Sequence, residues 1–324
     1  MRLKRLALMI VLALAMGWSG PERLPLLGDD PNIRAVPIPL DPNAPDKRQV
    51  GALTYLGGVE LWSRDGAFGG FSSLTVAGDR FTLLSDGGGI VRFRMDAGLH
   101  VSAPEFAELP AGPGQGWQKV DRDSESMTAD PAGQVWVGFE TTNQIWRYAP
   151  NLTSPAAGVA PRAMRGWVDN GGAESMVRLH DGRFLAIAEV DRRPGSDARN
   201  ALLFDDDPVA QPDRGFRFGY LPPAGYDPSD ATELPDGRVL VLNRRLSWPF
   251  RWSAVLTLID PRQFKPGAIV KGKVVATFDP PLNVDNFEGL AITREGAATI
   301  LWMVSDDNQF VLERTLLMKF RVDL

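Results

Sequence analysis

The sequence predicts an all-β protein folded as a single β-propeller, with five blades. Three observations carry that expectation. A phrase of acid, short apolar strand and Gly turn recurs every fifty residues or so, as in "DSESMTADPAG" (Asp123 to Gly133), "GAESMVRLHDG" (Gly172 to Gly182) and "NFEGLAITREG" (Asn286 to Gly296). Each phrase is followed by further apolar runs in a fixed order. Glycine and proline are plentiful, at 33 and 26 of 324 residues, as many tight turns between short strands require.

Taken from the start, Arg2, Lys4 and Arg5 precede an apolar run at 6–16 that is too short to span a bilayer comfortably, and Ala15-Met16-Gly17 offers small residues for cleavage. Residues 1–17 are therefore expected to be an export signal and the mature protein periplasmic or secreted, the alternative being an uncleaved N-terminal anchor. Residues 18–48 are Pro-rich and read as an extended lead-in. The propeller is expected over 49–324.

The repeat anchors are Ser73, Glu125, Glu174, Asp230 and Glu288. Each begins a first strand ("SLTV", "SMTAD", "SMVRL", "ATEL", "GLAIT"). A Gly turn such as "HDGR" or "PDGR" leads to a strongly apolar second strand ("FTLLS", "VWVGF", "FLAIA", "VLVLN", "ILWMV"). Third strands follow at "GIVRFRM", "QIWRYA", "ALLFD", "AVLTLID" and "LLMKFRV", and fourth strands at "PEFAELP", "VAPRAM", "RFGYLPP" and "KVVATFDP". The fifth unit reaches Leu324 without a fourth strand. "GALTYLGGVELWS" (Gly51 to Ser63) has no unit of its own and is expected to complete that blade, closing the ring without an exposed sheet edge. A sixth blade would require "APEFAELPAGPGQGWQKV" to hide a degenerate unit. A β-sandwich would not repeat one ordered pattern five times.

In such a ring, inner-strand starts and second-strand ends share one channel mouth. That mouth is expected to gather Glu125, Glu174, Glu288 and Asp230, with Glu140, Glu189, Asp86 and Asp306 behind them. Crowded carboxylates must take up protons, recruit cations or meet basic side chains. With no Cys and two His, an all-oxygen donor set suits a hard divalent cation, Ca²⁺ before Mg²⁺. Glu125, Glu174, Asp230 and Glu288 are the candidate metal ligands, Glu140 and Glu189 the candidate proton acceptors, and Arg244 and Arg245 the candidate binders of an anionic substrate. The opposing expectation is that the acids pair with Arg192, Arg193, Arg244 or Arg245. Asp230 stands one residue closer to its turn Gly than the glutamates do, which would turn its side chain unless a bulge absorbs the slip.

The phrases "ESMTADPAGQVWVGFE", "AESMVRLHDGRFLAIAE", "PSDATELPDGRVLVLNRR" and "NFEGLAI…LWMVSDDNQFVLERTLLMKFRV" resemble the phytase-like propeller family, named for an esterase-like activity of phytase, from about Gly51 to Leu324. The resemblance implies metal-assisted ester or phosphoester hydrolysis in an exported protein. It transfers no catalytic set.

Other classes fare less well. A net charge of −5 leaves no basic excess for nucleic acid, and no other segment suits a membrane span. A Ser-His-Asp triad has only His100, in a loop, and His180, in a turn at the end opposite the mouth, to draw on, and no G-x-S-x-G elbow. A polyanion such as phytate would want more basic residues than two adjacent arginines. A small anionic or ester substrate fits better. A non-catalytic binding propeller with a structural Ca²⁺, or a lactonase resembling the gluconolactonase propellers, would use the same acids. Trp248, Phe250 and Trp252 could wall a pocket or pack their own long loop.

Overall fold

The computed structural model describes residues 24–114, 118–169 and 171–324, and the expected signal segment lies outside them. Among the described residues the chain forms five sheets set as blades around one axis, antiparallel except that a short strand, Ile269–Lys271, runs parallel along the outer strand of the third. Blade one comprises Phe71–Ala77, Arg80–Ser85, Gly89–Met95 and Val101–Glu108. Blade two comprises Ser124–Ala129, Val135–Phe139, Gln144–Tyr148 and Pro155–Val159. Blade three runs Ser175–Arg178, Phe184–Arg192, Arg199–Phe204 and Gly215–Leu221. Blade four runs Asp227–Glu233, Val239–Ser247, Arg251–Ile259 and Lys273–Phe278. Blade five is Asn286–Glu295, Ala298–Asp306 and Leu316–Val322, completed by Leu53–Trp62 from the other end of the chain.

That last pairing closes the ring where the sequence places it, with Leu317 opposite Val59 and Val322 opposite Leu53. Arg34–Pro37, within the Pro-rich lead-in, adds one more strand along Leu53–Trp62. The stretch weighed as a sixth blade is instead the fourth strand of blade one and a connector holding a one-turn helix, Lys119–Arg122. The fourth strand of blade two lies at Pro155–Val159, upstream of the expected "VAPRAM". Pro161 has no N–H for a ladder, and residues 162–164 form a 3-10 turn instead.

All five hairpins between first and second strands turn on a glycine in the left-handed region, Gly78, Gly133, Gly182, Gly237 and Gly296, at φ of 64°, 85°, 93°, 85° and 59°. Only glycine holds that conformation cheaply, which is why the same dipeptide signal recurs in each unit. Apolar residues of each second strand then face the neighbouring blades. The core is accordingly five clusters wedged between blades rather than one centre, with Leu83, Val137, Ile145, Leu185 and Leu240 wholly buried, one in each. Each such side chain stabilises the fold by about 1.5–3 kcal/mol.

Around the channel, small hydroxyls stitch one inner strand to the next. Ser72 Oγ donates to the Ser124 carbonyl at 2.6 Å, Ser126 Oγ to Ala173 at 2.7 Å and Ser229 Oγ to Phe287 at 3.0 Å. This packing fixes where the inner-strand starts lie.

Candidate functional site

The site follows from one repeated irregularity. Four inner strands carry a β-bulge at the same height, each with a single unpaired residue: Ser72, Glu125, Ser229 and Glu288. In blade three Glu174 stands just ahead of Ser175, the strand's first residue. A bulge re-aims its extra residue, here at the mouth of the channel. The second-strand ends return to the same height and offer Asp86, Glu140, Glu189, Arg244 and Asp306. The backbone repeats this closely: Asp86, Glu140 and Glu189 donate their N–H to the carbonyls of Gly70, Asp123 and Gly172 at 2.8, 2.9 and 3.2 Å.

Within this double ring the structure brings two acidic groups together. In each of Asp123–Glu125–Glu140 and Glu140–Glu174–Glu189, one carboxylate oxygen per residue lies within 4.8 Å of the others. Glu140 belongs to both, and its carboxylate accepts a hydrogen bond from the Glu174 carboxyl. All except Glu189 are buried. Burial first, then the carboxylates of Glu288, Asp123 and Glu140, push Glu125 well above the usual carboxylate range. Burial and Glu189 do the same to Glu174. Glu140 is pushed up to about 7 by burial and by Asp123.

The remaining expected ligands sit apart from these groups. Glu288 Oε1 accepts from Asn286 Nδ2 at 2.6 Å and from Arg244 Nη1. Burial raises its carboxyl to about 7 against the pull of Arg244. Asp230 follows the bulge rather than occupying it. Its two oxygens accept from the backbone N–H groups of Ala231 at 2.7 Å and Leu290 at 2.6 Å, tying blade four to blade five. Burial nevertheless drives its carboxyl well above the usual range. Replacing Asp230 with Ala should orphan both donors and cost about 1–3 kcal/mol for each in urea unfolding. Bound cation per chain should stay the same, and a lost cation would make Asp230 a ligand after all.

Two cations answer the acids. Arg244 takes the rim position in blade four and reaches its neighbours on both sides, Glu189 at 2.8 Å and Glu288. Its guanidinium stands 5.9 Å from the centre of the Trp252 ring. Burial works against its charge, but Glu288, Glu189 and Glu174 outweigh burial and raise its pKa. Arg245, one residue on, turns away and stacks on Tyr226 at 4.4 Å. Lys119 stands across the mouth, 3.3 Å from Asp86 and 3.6 Å from Asp123, with 58% of its side chain exposed. Burial opposes its charge too, and Asp86, Glu125 and Asp123 together prevail. Beside Lys119 and Asp86 lies a cavity of about 190 Å³, walled in part by Leu24, Leu27 and Asn308. His100 and His180 are solvent-facing and pair with Asp96 and Glu233, so no imidazole serves this mouth.

Sequence reasoning alone does not find Asp123 or Lys119. Position 123 corresponds to Gly172 in the next blade, and Lys119 lies in a connector without periodicity, so neither is marked by the repeat.

The residues fit a hard divalent cation. The donors are carboxylate oxygens alone, and in Asp123, 2% exposed, Oδ2 accepts from the Thr141 N–H at 3.1 Å while Oδ1 has no hydrogen bond and only the Lys119 ammonium, 3.6 Å away, beside it.

Among curated proteins none matches the sequence. Solved structures share the fold. The α-L-arabinofuranosidase of Podospora anserina, solved with cellotriose, aligns at 11% identity and a TM-score of 0.50, over 92% of this chain and 98% of that one. The major allergen Mala s 1 of Malassezia sympodialis aligns at 15% identity and a TM-score of 0.45, over 90% and 96%. The family model for phytase-like proteins, described as esterase-like activity of phytase, matches residues 66–309. That span includes every one of the mouth carboxylates described above and more than half of the sequence, and the chain belongs to the phytase-like family.

Proposed function

We propose that the protein is a divalent-cation-assisted hydrolase of small esters or phosphoesters, acting at the carboxylate-lined mouth of the propeller. The observation that carries this reading is the convergence of three buried carboxylates, Asp123, Glu125 and Glu140, where the one ammonium in reach, Lys119, stands 3.6 Å from Asp123 Oδ1. Three buried carboxylates answered by one loosely held ammonium cost free energy unless protons or a further cation meet them.

Asp123, Glu125 and Glu140 would hold the cation, Ca²⁺ before Mg²⁺ because carboxylates supplied in number by a protein cage suit the larger ion. Once bound there, such an ion polarises a phosphoryl or carbonyl oxygen and lowers the pKa of a bound water. The chain supplies the rest. Glu288 lies outside both acidic groups, titrates near neutrality and is oriented by Arg244 and Asn286, which suits it to accept a proton from attacking water. Glu140 and Glu189, by contrast, are drawn into the ligand groups. Lys119 is the exposed cation of the mouth and would meet an anionic substrate beside the adjoining cavity, which has room for a phosphoryl or short acyl group.

The test is metal analysis of purified protein, then turnover of an aryl phosphate, an aryl ester and a lactone with and without chelator. Turnover should fall to background with chelator and return with Ca²⁺. The Glu288→Gln variant should lose about 10²–10⁴-fold in kcat. Bound cation with no turnover on any substrate would instead make this a binding propeller with a structural ion. Turnover indifferent to chelator would overturn the reading.

A further inference from the structure

We propose that the mouth face carries an aryl-binding pocket between blades four and five, so that the ester or phosphoester cleaved at the mouth is one bearing an aromatic group. This rests on the reading of the mouth as a hydrolytic site and names its substrate class.

The pocket follows from three loops that share one face. Second strands end at the mouth, so the loops that follow them, 248–250 in blade four and 307–315 in blade five, stand on that face. The connector 279–285 reaches it too, because it leads to Asn286 at the start of an inner strand. A cavity of about 590 Å³ lies among them, walled by Phe250, Trp252, Pro280, Pro281, Val284 and Leu312. That is the size and lining of a pocket for a small organic ligand.

These walls do little for the fold. Phe250 and Leu312 remain exposed, and Trp248 and Val311, on the same two loops, are 90% and 91% exposed. Apolar side chains gathered at a surface in this way mark a site of contact. Phe250 also stands at φ 57°, a left-handed conformation that costs a bulky residue free energy and that glycine adopts freely. Its ring meets Phe310 of the facing loop, with 6.1 Å between centroids. A ring that is neither buried nor relaxed suits a ligand better than a core. Of the two roles open to Phe250 and Trp252, walling a pocket is the one they fill.

The pocket adjoins the chemistry. Trp252 both walls it and lies 5.9 Å from the guanidinium of Arg244, which orients Glu288. Val284 and Asp285 line it and lead directly to Asn286, whose side-chain amide donates to Glu288 at 2.6 Å. A substrate held at Glu288 would extend its next group here.

Chemistry selects that group. Asp285 and Glu313 line the pocket, but both are engaged. Asp285 accepts from the Asn286 N–H and from Arg314 Nε, each at 3.2 Å, and Glu313 accepts from Asn308 at 2.6 Å. Little is left for the many hydroxyls of a sugar. Arg251 and Arg314 bring two guanidinium groups to the same walls. An alkyl chain would desolvate them without recompense. The face of an aromatic ring attracts a guanidinium and packs on Phe and Trp, so an aryl group answers both kinds of wall.

The experiment is binding of 2-naphthol, uncharged at pH 7, to the chelator-treated full-length chain, followed by naphthol fluorescence. One saturable site per chain is expected, and octanol, of similar hydrophobicity, should compete only weakly. Phe250→Gly and Leu312→Asp should each weaken binding about tenfold, whereas Lys119→Gln, at the mouth cavity, should not change it. Phe250→Gly should melt at the wild-type temperature, since it loses an exposed ring and relaxes a left-handed backbone. A lower melting temperature with naphthol binding intact would make Phe250 a packing residue and overturn the proposal. Absence of saturable binding, or octanol competing as well as naphthol itself, overturns it too. So does a wild-type dimer that Leu312→Asp dissociates, which would give the patch to a second copy. Naphthol binding needs neither cation nor turnover. A chain that binds naphthol at this pocket but cleaves no ester would defeat the hydrolase reading alone, whereas chelator-sensitive turnover without naphthol binding would defeat this inference alone.

Discussion

Replacing Arg244 with Met is expected to destabilise the cation-free protein by about 3–5 kcal/mol at pH 8. Met fills a similar volume and can still lie against Trp252, so packing is largely conserved and the loss is electrostatic. Arg244 donates to Glu189 at 2.8 Å, to Asn286 at 2.6 Å and to Glu288, and it is the cation paired with both of these carboxylates. Without it, two carboxylates stand close together with no counter-charge. The loss should shrink at pH 5, where Glu288 takes up a proton and no longer needs the partner. Lys at the same position should rescue only part, because one ammonium cannot fork between two carboxylates. Urea unfolding in chelator at both pH values is the measurement. A loss below about 1 kcal/mol at pH 8, the scale of an exposed pair, would mean that Arg244 does not hold the ring together.

The same residue shows how far the sequence could be read. Five units, their strand order and the closure through residues 51–63 are legible because hydrophobic period and turn glycines are local signals that the fold obeys. The convergence of Glu125 and Glu174 is legible because equal spacing in a repeat becomes equal position on a blade. Bulges are another matter. They insert a residue without any mark in the pattern, so the alignment that puts Ser73 and Asp230 beside Glu125 is off by one, and Ser72 and Ser229 hold those places. Asp230 then serves the backbone of Leu290 instead of the mouth. Arg244 is legible as a charge at the end of a second strand, but not as the partner of Glu189 and Glu288, since that depends on which blades flank it. Arg245, beside it in sequence, turns out to stack on Tyr226, as strand alternation requires. Asp123 and Lys119 escape because neither recurs.

The cation-free protein should lose stability as pH rises from 5 to 8, by about 3 kcal/mol for each of two groups. Glu140 and Glu288 are both raised from 4.5 to about 7, chiefly by burial, with Asp123 and Glu189 adding to the first and Glu189 and Asp86 to the second. A raised carboxyl means that the folded chain binds a proton more tightly than the unfolded one. The stabilisation is complete below the unfolded pKa of 4.5 and is lost as pH climbs through 7. Exposed acids with lowered values, such as Asp260 at about 2, act in the opposite sense but only in strongly acid solution, so they leave this window untouched. Divalent cation reverses the sign of the demand, because it binds the ionised carboxylates that the empty mouth disfavours. Adding Ca²⁺ should therefore raise stability much more at pH 8 than at pH 5, by about 2.7 kcal/mol per site at a hundredfold excess over Kd. Urea unfolding at the two pH values, with chelator and with Ca²⁺, measures all four corners of this cycle. Stability of the cation-free chain that climbs between pH 5 and 8, or a Ca²⁺ response equal at both, would show that the mouth carboxylates are neutralised from within and need no ion.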